Sequence, residues 1–236
     1  MILVTAGPSG TAITPGRDIT VVAPLATGDL TGYVEAGYST ILIVDGVFDQ
    51  SLAVTVTEIR ECIGRGARVF GSTSMGALRA VEAAPVGMVG LGSIFQLVSR
   101  GEIVSDADLA LSFTTEFRAL TVPLVNLRYL CRHLAWATGA YDELSRFYEA
   151  GRSMHFSERT FESLEDAAAQ HGGKITDLVV SHLAPACRPL WDLKALDAAA
   201  AVSELRRGGI SSDTTPNAPR ASVPDHPDRL LNGTSL

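Results

Sequence analysis

Residues 67–80 constrain the fold of this chain more than any other segment. The segment opens with β-branched and aromatic residues as far as Phe70, continues through small residues, and becomes helix-forming from Met75 onward. This order predicts a buried strand, a tight turn and the start of a helix, with Ser74 at the bend.

The turn also has a pattern typical of serine nucleophiles. Ser72, Ser74 and Gly76 are spaced as in the Gly-x-Ser-x-Gly elbow, with a serine replacing the first glycine. A helix N-terminus offers backbone N–H groups and a partial positive charge to a developing oxyanion. Gly71, Ser72, Met75 and Gly76 are therefore candidates for binding the substrate or its oxyanion. The alternative is an ordinary strand-to-helix turn, whose small residues serve close packing or hold a phosphate.

Strand and helix patterns alternate through the first third of the chain. Strands are predicted at 2–5, 19–23, 40–44 and 67–70, and helical periodicity runs from 53 to 63. This alternation predicts an α/β fold with a largely parallel sheet and covering helices. Ligands gather at the carboxyl ends of such strands. Polar and glycine residues at these ends are thus further candidates for the site, namely Ser9, Asp45 and Gly46.

The second half is predicted to be mainly helical. Helical patterns cover 120–136, which Pro123 interrupts, and 141–148, 157–170, 174–183 and 193–206. We expect a single domain over residues 1–207, with a sheet-rich half at 1–104 and a helical half at 105–207. Residues 208–236 are rich in Ser, Thr, Pro, Asn and Asp. A segment of this composition cannot bury enough apolar surface to offset the entropy of ordering, so we predict a disordered tail.

Composition narrows the range of partners and cofactors. A net charge of −7 and a pI near 5.2 do not favour binding to nucleic acid or to an anionic membrane. The 3 cysteines lie far apart and lack metal-ligand spacing, which indicates a reducing compartment and argues against a disulfide framework or a zinc site.

The first residues predict a strand rather than a signal peptide, and no apolar stretch reaches membrane-spanning length. We expect a cytoplasmic protein with no metal and no cofactor.

A serine nucleophile needs a partner that removes its proton, and lysine is scarce here. No histidine lies near the elbow in the sequence, and arginine is a poor base because it stays protonated. Only Lys174 and Lys194 are present. Lys174 follows two glycines and has the context of a solvated side chain. Lys194 lies between Trp191 and Leu196, an apolar setting in which a lysine loses its proton more easily.

Two other charged residues have competing interpretations. Arg79, one turn into the helix after Ser74, could hold a carboxylate or phosphate, or it could pair with Glu82. Asp45 could orient a catalytic or substrate group, or it could cap the next element. The glycine pattern from Gly87 to Gly92 follows a helix and has no strand pattern before it, so it does not indicate a dinucleotide site.

These motifs together resemble the TfuA-like family. The most specific part is the Ser-Met-Gly-Ala-Leu-Arg-Ala block from Ser74, with Gly-Met-x-Gly-x-Gly after it; Lys194-x-x-Asp197-Ala198 is a shorter C-terminal match. Ser105-Asp-Ala-Asp-Leu-Ala departs from a more acidic family run, and Ala23-Pro24 stands for Pro-Pro. The other matching segments are Gly28-Asp29, Asp45-Gly46-Val-Phe48, Glu58-Ile59, Gly71-Ser-Thr, Glu82, Ser93-Ile-Phe95, Gly101-Glu-Ile-Val, Val122-Pro-Leu-Val-Asn-Leu-Arg128 and Glu158-Arg159-Thr160.

The resemblance implies a partner of YcaO-type enzymes in peptide-backbone thioamidation. It implies a hydrolase that releases sulfide from a thiocarboxylated ThiS-like sulfur carrier, with Ser74 as nucleophile and Lys194 as base; Ser72 and Ser9 are rival nucleophiles. Arg79 would then offset the charge of the thiocarboxylate. The modified precursor peptide is a further candidate partner.

Two other functions stay open on the sequence. One is a non-catalytic adaptor that binds a YcaO-type enzyme and aids its engagement of the peptide, with residues 126–129 of the helical half as a candidate contact region. The other is a phosphate- or nucleotide-binding domain, which the missing Walker lysine after the turn disfavours.

Overall fold

A computed structural model of the protein describes residues 1–47, 52–170 and 173–208. Strands and helices alternate in the first part of the chain, and helices alone follow. The strands are β1 (Ile2–Thr5), β2 (Ile19–Val22), β3 (Thr40–Ile43), β4 (Arg68–Ser72) and β5 (Val89–Leu91). The helices are α1 (Asp29–Glu35), α2 (Val56–Gly64), α3 (Met75–Glu82), α4 (Gly92–Ser99), α5 (Leu124–Thr138), α6 (Tyr141–Ser153), α7 (Phe161–Ala169), α8 (Gly173–Leu183) and α9 (Leu193–Arg206).

All the strands belong to one parallel sheet with the order β2-β1-β3-β4-β5. The registers place Thr5 beside Ile43, Ile43 beside Gly71, and Ser72 beside Leu91. This is the flavodoxin-like strand order, in which the chain reverses its direction of travel between β1 and β3. The α/β prediction, with a largely parallel sheet followed by helices, is confirmed.

The sheet is buried on both faces, which explains its continuous apolar strands. Successive β3 residues point to opposite faces, so Ile41 and Ile43 belong to one core cluster while Leu42 and Val44 belong to another. The first cluster includes Leu30 of α1, Ile59 of α2 and Ala80 of α3; the second includes Ala198, Ala201, Val202 and Leu205 of α9. The last helix thus covers one face of the sheet.

The chain forms two compact units. Among the described residues, Met1–Leu109 and residues 194–208 form the first, and Ala110–Leu193 forms the second. The second unit contains α5 to α8 around a core that includes Phe147 and Leu127, both 0% exposed. Helix α9 belongs to the sheet-bearing unit, and the domain organisation expected from the sequence stays a prediction.

Three elements are absent from the sequence-based prediction, namely α1, α4 and β5. Strand β5 has only 3 residues with a glycine at its centre, and it lies inside the glycine-rich segment 87–92. Pro123, which interrupts a predicted helix, is the N-cap residue of α5. The predicted disordered tail lies, apart from Gly208, outside the described residues. None of the helices in the described part of the chain is both long and apolar enough to cross a membrane.

Candidate active site

The turn that follows β4 has an unusual backbone. Helix α3 begins at Met75, as the sequence predicts, whereas β4 continues to Ser72, beyond the predicted strand end at Phe70. Thr73 between them has φ 67°, and Ser74 has φ −71° and ψ −120°. A positive φ is costly for a β-branched residue, so the surrounding packing must hold Thr73 in place.

Two glycines let this turn lie close against the sheet. A Cβ atom at Gly76 would lie 1.8 Å from the carbonyl oxygen of Ile43, and one at Gly71 would lie 2.1 Å from the carbonyl oxygen of Gly76. The N–H of Gly76 donates to the Val44 carbonyl at 3.2 Å. Close packing therefore accounts for both glycines. It accounts for Gly46 as well, whose Cβ would lie 2.9 Å from Cγ of Met75.

Ser74 lies beside Lys194, the residue that the sequence analysis pairs with it. The Nζ atom of Lys194 is 3.0 Å from Oγ of Ser74 and donates to the carbonyl oxygen of Leu109 at 2.9 Å. The two side chains are buried, with 1% of Ser74 and 3% of Lys194 exposed. Removing an ammonium group from water disfavours its charged form, and a neutral amine can accept a proton.

The first turn of α9 makes further contacts with the elbow. The hydroxyl of Thr73 donates to the backbone carbonyl of Lys194 at 3.3 Å, and that of Ser72 donates to Asp197 at 3.4 Å. Asp197 lies 3 residues after Lys194 on α9 and is 4% exposed. The elbow and the start of α9 thus meet through polar groups.

Asp197 also accepts hydrogen bonds at the N-terminus of α4. The backbone N–H groups of Ser93 and Ile94 donate to its carboxylate at 2.6 Å and 3.2 Å. Burial raises the pKa of Asp197 to about 6, while these hydrogen bonds and that from Ser72 act in the opposite direction. The sequence alone does not assign a role to Asp197. The signal in the sequence that could have suggested a role is the spacing of the two residues. Asp197 lies one turn after Lys194, which places both side chains on the same face of a helix.

Asp45 shapes the loop after β1, at the switch between β1 and β3. Its carboxylate accepts from the backbone N–H groups of Gly7 and Ser9, both at 2.9 Å, and from the Ser9 hydroxyl at 2.8 Å. Its backbone carbonyl accepts from the Thr5 hydroxyl at 3.1 Å. The predicted residues at the ends of β1 and β3 therefore come together, with Asp45 bonded to Ser9 rather than to Ser74.

The side chain of Arg79 contacts Val54 and Glu82. Its Nε donates to the carbonyl oxygen of Val54 at 2.7 Å, and its guanidinium pairs with the carboxylate of Glu82. The pairing with Glu82 is the second of the two interpretations that the sequence allows. A contribution of Arg79 to binding an anionic substrate stays a prediction.

The buried cysteines and Lys174 are less suited than Ser74 and Lys194 to act as a nucleophile or a base. Cys62 and Cys131 are buried, and burial raises the pKa of each thiol. Lys174 is exposed, as its glycine context predicts. Among the described residues, no group of His, Cys, Asp and Glu side chains is arranged to hold a metal ion.

The region suggested for adaptor contacts, residues 126–129, lies partly inside the second unit. Asn126 is 4% exposed and donates to Asp192 at 2.8 Å, and Leu127 is 0% exposed. Substitution of these two residues would disturb folding, so it would not separate an adaptor from a hydrolase, whereas Arg128 and Tyr129 are only half-buried.

Comparison with known proteins identifies the family. No curated protein matches the chain. A family model described as TfuA-like protein matches residues 45–160, a range that contains Asp45, the elbow with Ser74, and Arg79. The match ends before Lys194 and Asp197. Residues 45–160 therefore form a TfuA-like domain.

Proposed function

We propose that the protein is a serine hydrolase that releases sulfide from a thiocarboxylated ThiS-like carrier for YcaO-dependent backbone thioamidation. The observation that carries this proposal is the 3.0 Å contact between Lys194 Nζ and Ser74 Oγ at a strand-to-helix turn. The family assignment supports the association with a YcaO-type enzyme. The carrier and the hydrolytic reaction are inferred from the family resemblance and the chemistry of the pair.

The pair can activate the serine if the lysine is neutral. A neutral amine has one lone pair, which accepts the Ser74 proton, while one of its N–H groups donates to the carbonyl of Leu109 at 2.9 Å. The Leu109 contact would hold Nζ in position as the proton moves. Lys174 lacks the burial that favours a neutral amine, so it does not compete for this role.

The reaction then follows two steps. Ser74 Oγ forms a bond to the thiocarboxylate carbon, the C–S bond breaks, and sulfide leaves with a proton from Lys194. Water next attacks the resulting ester, which gives the carrier's carboxylate and restores the Ser74 hydroxyl. No oxidant or reductant is consumed.

The negative charge on the thiocarboxylate opposes the attack by Ser74, so neighbouring groups must stabilise that charge. The N-terminus of α3 supplies a partial positive charge next to Ser74. We assign the N–H of Met75 as the oxyanion donor, because the residue after the nucleophile supplies one in the related elbow. The N–H of Gly76 donates to Val44 instead.

The proposal is tested by sulfide release from a thiocarboxylated carrier protein. We expect Ser74→Ala and Lys194→Ala each to lower the rate by at least about 100-fold, because a positioned proton acceptor contributes on this scale. Lys174→Ala is the matched control and should keep the wild-type rate, since Lys174 is exposed. Circular dichroism would verify that every variant is folded.

The adaptor function makes the opposite prediction in the same experiment. If Ser74→Ala and Lys194→Ala still support thioamidation by the YcaO-type enzyme, and sulfide release is equal in the wild type and both variants or absent from all three, the hydrolase proposal is wrong. The TfuA-like family assignment would stand in either case.

A further inference from the structure

We propose that Asp197 is a positioning residue that fixes Lys194 against Ser74 by anchoring α9 to the N-terminus of α4 and to the elbow. This inference rests on the proposed function, because it concerns how the Ser74–Lys194 pair is held. It adds a residue that lies outside the family match.

The first support is the arrangement of contacts on one turn of α9. Lys194 reaches Ser74 at 3.0 Å, and Asp197, 3 residues later, reaches Ser72 at 3.4 Å. Side chains at this spacing lie on the same helix face. A rotation or shift of α9 that breaks one contact would therefore displace the other.

The second support is the strength of the anchor. Asp197 accepts from two adjacent backbone N–H groups, those of Ser93 at 2.6 Å and Ile94 at 3.2 Å. These belong to the first turn of α4, whose N–H groups lack partners within the helix and whose dipole favours a negative charge. Hydrogen bonds from backbone N–H to a carboxylate are among the stronger ones in proteins.

The third support is the space left at Gly92, the first residue of α4. Gly92 has φ +88°, and a Cβ atom there would lie 2.5 Å from Oδ1 of Asp197. The backbone thus approaches the carboxylate more closely than any other residue type would allow. Gly92, Ser93 and Asp197 form one tight contact between α4 and α9.

The chain offers a matched comparison in Glu58. This residue is also buried, and its carboxylate accepts from backbone N–H groups at the start of a helix, those of Gly28 at 3.1 Å and Thr31 at 3.3 Å. Glu58 anchors α1 to α2, and neither helix carries Ser74 or Lys194. Loss of its charge would lower stability without moving the pair.

The test compares kcat and KM for sulfide release, expressed per folded enzyme, in Asp197→Asn and Glu58→Gln. We expect Asp197→Asn to lower kcat about tenfold or more with little change in KM, because small misplacements of a reacting group slow catalysis strongly. Glu58→Gln should keep the wild-type kcat. Wild-type kcat in folded Asp197→Asn would overturn the inference, as would equal losses of kcat in both variants.

A second variant covers the case in which Asp197→Asn does not fold. Ser93→Pro keeps Asp197 but removes the shortest of its hydrogen bonds, at 2.6 Å, and proline is tolerated in the first turn of a helix. We expect a similar loss of kcat, and an unchanged kcat would count against the inference. If Ser74→Ala itself keeps the wild-type rate, the proposed function fails instead, so the two failures are distinguishable.

Discussion

At the scale of single residues, the turn between β4 and α3 depends on a glycine, because glycine has no Cβ atom. Gly76 sits against the carbonyl oxygen of Ile43, where a Cβ atom would lie 1.8 Å away. No side chain fits at that distance without a backbone shift. The glycine therefore sets how closely Ser74 approaches the sheet.

We predict that Gly76→Ala lowers the free energy of unfolding by about 3 kcal/mol or more, because overpacking against backbone cannot be relieved by a rotamer change. Gly32→Ala in α1 is the matched control, since a Cβ atom there meets nothing within 4 Å. It should raise the free energy of unfolding by roughly 0.5–1 kcal/mol, because alanine is the better helix former. Urea denaturation of both variants measures this, and equal stabilities would contradict the account.

The residue scale also shows what local sequence patterns can predict. The strand, the bend at Ser74 and the helix start at Met75 are found where the order of residue types predicts them. The positive φ of Thr73 was not predicted, since threonine has no general preference for it. It depends on packing from elsewhere in the chain.

At the scale of elements, α9 is the helix on which the site depends. Its bounds, Leu193–Arg206, agree with those expected from the sequence. The sequence of α9 does not show which of its faces packs on the sheet, because its many alanines give no clear apolar face. Only contacts with distant residues, such as that between Asp197 and Ser93, reveal where it packs.

Asp197 makes the contact between α9 and α4 sensitive to pH. The ordinary pKa of an aspartate is 3.8, and burial raises that of Asp197 to about 6 in the folded protein. Between these values the folded state binds more protons at this group than the unfolded state does, so the contribution of Asp197 to stability falls as the pH rises. Above about pH 6 both states are ionised and the contribution becomes constant. The closest other buried titratable side chain on α9 is that of Lys194.

We predict that the stability difference between wild type and Asp197→Asn changes by on the order of 3 kcal/mol between pH 4 and pH 7, with the wild type losing its relative advantage as the pH rises. Asparagine cannot titrate, so the difference isolates this group. Chemical denaturation at several pH values measures it. A difference that stays constant, or that grows in favour of the wild type as the pH rises, would contradict the account.

At the scale of the whole molecule, every polar contact assigned to the site lies within the first unit. Ser74, Lys194, Leu109 and Asp197 all belong to it, although Ser74 and Lys194 are 120 residues apart in the sequence. A pairing over this separation has no local sequence signal. The scarcity of lysine and the family resemblance suggested it, and the contacts with Leu109 and α4 could not be predicted in the same way.

We predict that Phe147→Ala, in the core of the second unit, lowers the free energy of unfolding by about 3–5 kcal/mol but leaves kcat for sulfide release unchanged in the folded fraction. Phe147 is 0% exposed. The control is Phe113→Ala in the same unit, which should change stability little because Phe113 is 45% exposed. A lowered kcat in folded Phe147→Ala would indicate that the second unit contributes to the chemistry.

In the proposed mechanism Ser74 forms a covalent ester with the carrier, which mass spectrometry of enzyme quenched in acid during its first turnovers would detect. We expect a carrier ester on Ser74 that is absent from Ser74→Ala, together with loss of sulfide release in that variant. An ester on Ser72 or Ser9, or wild-type sulfide release by Ser74→Ala, would contradict this mechanism.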